Sequence, residues 1–137
     1  MNKTKKESLM TQIKKIEKFS KEINELNENL NDSLSSILNA WKQATNITCV
    51  KDSGFDILKV HTVVRTSKYN TVYFLKINDD KIYSSDESDF NRRILHNSSP
   101  HNVSDLTVSV KQDIFLLLDS ALKDFTEILE NIVSFLK

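Results

Sequence analysis

One glycine and one proline in 137 residues, Gly54 and Pro100, are far below ordinary usage. Phosphate-cradling loops, nucleophile elbows and tight turns at positive φ all draw on glycine, which alone reaches those backbone conformations cheaply. A chain this poor in glycine has little material for such devices. Helices need none, so the shortage points to long helices and few turns. The single cysteine, Cys49, cannot form an internal disulfide, which fits a reducing, intracellular compartment. Formal net charge is zero, so the strong basic or acidic bias that marks many nucleic-acid binders is missing. The opening MNKTKKESLMTQ has no apolar run, so no signal peptide is expected, and no stretch reaches the roughly 18 apolar residues of a membrane span. The sequons at Asn46, Asn97 and Asn102 read as products of an Asn/Ser-rich chain.

What remains is ordinary for a soluble globular protein: 39% hydrophobic and 28% charged residues, at the length of a single domain. Over residues 1–44, Leu9, Ile13, Ile16, Phe19, Ile23, Leu26, Leu30, Leu34, Ile37 and Trp41 recur every three or four positions. That spacing predicts a long amphipathic helix from about Lys5 to Gln43. Asn29 to Ser33 is its weak point, because Asn, Asp and Ser prefer caps, and a break near Asp32 is one expectation. Ser20 and Asn27 interrupt the stripe at heptad a positions. Either they fix the register of a coiled coil, or the helix is rotated so that Phe19 and Leu26 face inward and the polar pair lies at the rim.

Residues 47–84 read as an antiparallel meander of three to four strands. Ile57 to Thr66 alternates, with Leu58, Val60 and Val64 on one face. Thr71 to Ile77 follows a turn at Ser67 to Asn70 and places Tyr73, Leu75 and Ile77 together. Asn78-Asp79-Asp80 makes a hairpin loop before Lys81-Ile82-Tyr83. Ile47 to Val50 is a candidate short strand before the turn at Asp52-Ser53-Gly54. Residues 85–104 read as an irregular loop with one or two helical turns at Phe90 to Leu95, capped by Ser88 or Asp89. From Ser104 or Asp105 onward, Ile114, Leu118, Ala121, Phe125, Ile128, Ile132 and Phe135 form a seam, with Leu122, Leu129 and Leu136 beside it. A stripe that wide predicts a long C-terminal helix packed on both the sheet and the first helix. The fold expected is α+β.

Chemistry is sparse. His61, His96 and His101 lack the close convergent spacing of zinc ligands, even with Asp86, Asp89 or Cys49 added. No glycine-rich elbow surrounds a serine, and the acids at Asp79-Asp80 and Asp86-Glu87-Asp89 belong to a hairpin and a polar loop. No catalytic, metal or cofactor residue is therefore assigned, and the chain is expected not to be an enzyme. The expected function is protein–protein interaction or assembly, through Leu9, Ile13, Ile16, Phe19, Ile23 and Asn27 and through exposed strand edges. The partner is a second copy, packed antiparallel, or a different chain with a similar helix. Two rivals remain: a nucleic-acid binder using the first helix, whose residues 1–23 hold seven lysines against three glutamates, and a small inhibitor or immunity-type protein acting through its acidic loop. Against the nucleic-acid reading, the usual interleaving of arginine and aromatic side chains is missing.

Overall fold

The computed structural model describes residues 2–48, 57–65 and 70–137. Cys49, the turn expected at Asp52-Ser53-Gly54, the first three residues of the turn expected at Ser67 to Asn70, and the side chains of Val60, His61 and Val64 lie outside the described residues; Asn70 itself is the first residue of a strand. The chain is α+β. Helix α1 (Lys3–Thr48) is followed by strands β1 (Ile57–Arg65), β2 (Asn70–Lys76) and β3 (Ile82–Asp86). Then come the short helix α2 (Glu87–Asn91), strand β4 (Ser99–His101), a 3-10 turn (Val103–Asp105) and helix α3 (Val108–Leu136). By contacts the chain divides into two compact units, Met1–Ser33 and Leu34–Lys137.

Helical backbone continues through Asp32, where a break was expected, and through Ile47-Thr48, which were expected to be strand. Asn and Asp weaken a helix interior by only tenths of a kcal/mol each. Leu34, Leu38, Trp41 and Thr45 bury one face within the second unit, and that burial outweighs the local preference.

Among the described residues the strands form one antiparallel sheet in the order β1-β2-β3-β4. The segment 85–104, expected as loop, supplies both α2 and β4. Asp86, rather than Ser88 or Asp89, caps α2 by accepting the Asp89 amide at 2.7 Å. Strand β4 pairs with β3 through Ile82 opposite His101, Tyr83 opposite Pro100 and Ser84 opposite Ser99. Helix α3 begins at Val108, after Thr107 caps it through the Val110 amide. Its start is later than expected because residues 103–105 form the separate 3-10 turn.

The core of the second unit draws on every layer. Leu34, Leu38 and Trp41 come from α1, Val72, Phe74 and Leu75 from β2, Ile82 from β3, and Ile114, Leu118 and Phe125 from α3. Trp41 and Phe125 pack with ring centroids 5.0 Å apart, and Trp41 Nε1 donates to the Lys76 carbonyl at 2.8 Å. Strand β2 departs from the expected single buried face. Phe74 and Leu75 are adjacent, so they point to opposite faces, yet both are fully buried. Phe74 packs against Tyr83 and against Phe90 of α2, so α2 covers a face that alternation alone would leave to water. Ile77 falls in the turn after β2 instead of joining its inward row. The α3 seam is buried at Ile114, Leu118 and Phe125 and opens beyond them: Ile128 and Ile132 are half-buried, and Phe135 and Leu136 are exposed.

Candidate interaction surface

The first unit, residues 1–33, holds every residue assigned to interaction. At 100° per residue, Leu9, Ile13, Ile16, Phe19, Ile23 and Leu26 fall within a helical sector of about 140°. All six are 45 to 64% exposed, as is the flanking Met10. Half of a large side chain is on the order of 100 Å², so the six together present on the order of 600 Å² of apolar surface, as large as the largest patch of a typical monomer. Asn27 differs from the others. It is half-buried, and its Oδ1 is enclosed without a hydrogen-bond partner among the described residues. Lysines are concentrated before the stripe's midpoint and acids after it. Residues 3–15 carry five lysines against one glutamate, net +4, and residues 22–33 carry four acids and no base, net −4.

The residues considered for chemistry are dispersed or tied into the sheet. His96 is exposed in a turn. His101, expected in a loop, lies on β4, where its Nε2 sits 2.6 Å from Ser84 Oγ and its ring 6.3 Å from that of Tyr73. The register puts these three side chains on one sheet face, and burial raises the Tyr73 phenol above its usual pKa. A nucleophilic site needs an orienting group behind the histidine and an oxyanion hole before the serine. This serine instead stands mid-strand, its hydrogen bond fastening β4 to β3. No group of three metal-ligating side chains occurs among the described residues. Asp79 is engaged with Tyr83, whose hydroxyl donates to it, and Asp86 with its helix cap.

Two further features belong to the second unit. Lys111 is only 1% exposed in α3, and burial lowers its ammonium pKa. A polar recess is lined by Ser35, Asp80, Lys81 and Asn102, with the Lys81 ammonium donating to the Asn102 side-chain oxygen. Neither had a periodic or motif signal in the sequence. No helix among the described residues is long and apolar enough to cross a membrane. Compared with protein-family models, curated proteins and solved structures, the chain matches none.

Proposed function

We propose that this chain is a non-enzymatic interaction and assembly module that pairs an amphipathic partner helix along residues 9–26 of α1. The exposed sector formed by Leu9, Ile13, Ile16, Phe19, Ile23 and Leu26 carries this reading. Continuous apolar surface of that size marks an interface more often than a solvated face. Its shape, a stripe on one helix, fits another helix in knobs-into-holes packing.

Affinity capture and sedimentation at micromolar concentration test the reading. Wild type forms a complex, with itself or with another chain. Ile13→Asp with Ile16→Asp abolishes it while the thermal unfolding of residues 34–137 is unchanged. Ile16→Ala with Phe19→Ala weakens it and preserves helicity, since alanine is the strongest helix former. A monomeric wild type that captures nothing would overturn the proposal.

A further inference from the structure

We infer that the occupant of the α1 stripe is the same stripe on a second copy of this chain, packed antiparallel so that residue n of one copy lies level with residue 35 − n of the other. This inference rests on the interaction reading above and adds the partner, the orientation and the register.

Charge sets the orientation. A parallel pair would lay the +4 block of residues 3–15 on its own copy and the −4 block of residues 22–33 on its own copy. An antiparallel pair lays each block on its opposite, and a twofold axis makes the match occur twice.

The apolar and flanking residues set the register. With Leu9, Ile16 and Ile23 at one seam position and Phe19 and Leu26 at the other, Leu9 meets Leu26 of the second copy and Ile16 meets Phe19. Lys15 and Glu22 border the seam on the same side, and in this register each Lys15 faces Glu22 of the second copy. Sliding by one heptad would set Glu22 on Glu22 in one direction and Lys15 on Lys15 in the other. Like charges there disfavour both slips. On the opposite border Lys6 comes beside Asn27 of the second copy. Two patches on the order of 600 Å² each bury about 1,200 Å² in total, at the lower end of the 1,200–2,000 Å² of ordinary stable complexes.

The test uses the full purified chain. Sedimentation equilibrium gives a dimer for wild type. Lys15→Glu weakens it about tenfold, because two flanking pairs turn repulsive. Lys15→Glu with Glu22→Lys returns the dissociation constant to within about threefold of wild type, since the two charges exchange places across the seam. Pulsed electron–electron resonance on Lys6→Cys in a Cys49→Ser background, spin-labelled, reads the orientation. Lys6 lies level with residue 29 of the second copy, so the labels stand about 35 Å apart at 1.5 Å per residue. A parallel dimer would place their backbones about 10 Å apart and would overturn the inference. So would a double variant that stays as weak as Lys15→Glu alone. A wild type that is monomeric yet captures another chain through Ile13 and Ile16 would overturn self-pairing and leave the interaction reading standing. A dimer that survives Ile13→Asp with Ile16→Asp would overturn both.

Discussion

The Asn78 backbone amide donates to the Thr45 hydroxyl at 2.8 Å, joining the last turns of α1 to the β2–β3 connection. The same hydroxyl donates to the Trp41 carbonyl at 2.8 Å, so Thr45 uses its donor within the helix and its acceptor across the core. Thr45 is fully buried. Thr45→Val keeps the shape and removes the acceptor, leaving the Asn78 amide without this partner. The loss should be about 0.5–1.5 kcal/mol in urea unfolding, the net worth of one hydrogen bond, since Asn78 itself is exposed. Thr45→Ser, which retains the acceptor, should lose clearly less. Equal losses for the two variants would show that packing of the methyl group dominates.

Asn78 holds φ at 60°, in the left-handed region that asparagine tolerates and β-branched residues do not. Asn78→Gly should be close to neutral. Asn78→Val should cost about 1–2 kcal/mol, with its amide still bonded to Thr45. Chemical denaturation of both variants checks this, and a neutral valine variant would mean the turn relaxes to negative φ.

Phe125 is buried against Trp41, whose indole is fixed by the Lys76 carbonyl. Phe125→Ala should cost about 3–5 kcal/mol, as for other large-to-small core changes. Indole fluorescence should move to longer wavelength at the same time, because the cavity opens beside the only tryptophan. A loss below about 1 kcal/mol, outside the range of core truncations, would place Phe125 at the edge of the core.

Burial first, and then the hydrogen bond and charge of Asp79, push the Tyr83 phenol up to about 12 from an ordinary value of 10.0. Between those values the native state retains a proton that the unfolded chain releases. Stability therefore falls as pH rises from 10 through 12. Tyr83→Phe should flatten this part of the profile relative to wild type, read as urea midpoints at successive pH values. Absorbance titration of wild type should show a phenol ionising near 12 that the variant lacks. Parallel profiles for the two proteins would remove Tyr83 as the source.

Periodicity made the helices and the stripe legible. Leu9 to Leu26 and Ile114 to Phe125 repeat at helical spacing whether or not anything covers them. The hairpin at Asn78 was legible from turn chemistry. Strand β4 was not, because Ser-Pro-His has no strand propensity and forms only by pairing with β3. With β4 unread, the approach of His101 to Ser84, 17 positions apart in the chain, had no signal either. Alternation found Leu75 and missed Phe74, since two-letter patterns assume one dry face and α2 makes a second. At Asp32 local preference pointed to a break, but a few tenths of a kcal/mol do not decide a helix that Leu34 and Leu38 anchor.

Strand β4 closes one margin of the sheet with three residues, and the middle one is Pro100. Proline offers no N–H, and three residues give an incoming strand almost no length to read. This margin is a poor template for strand addition, which weakens the expectation that sheet edges share in binding. Copies meeting there would find no repeating ladder to extend, so growth into fibrils from this side is checked at its first step. Removing the check, as in Pro100→Val, should raise the tendency to aggregate on partial unfolding without touching the helical stripe.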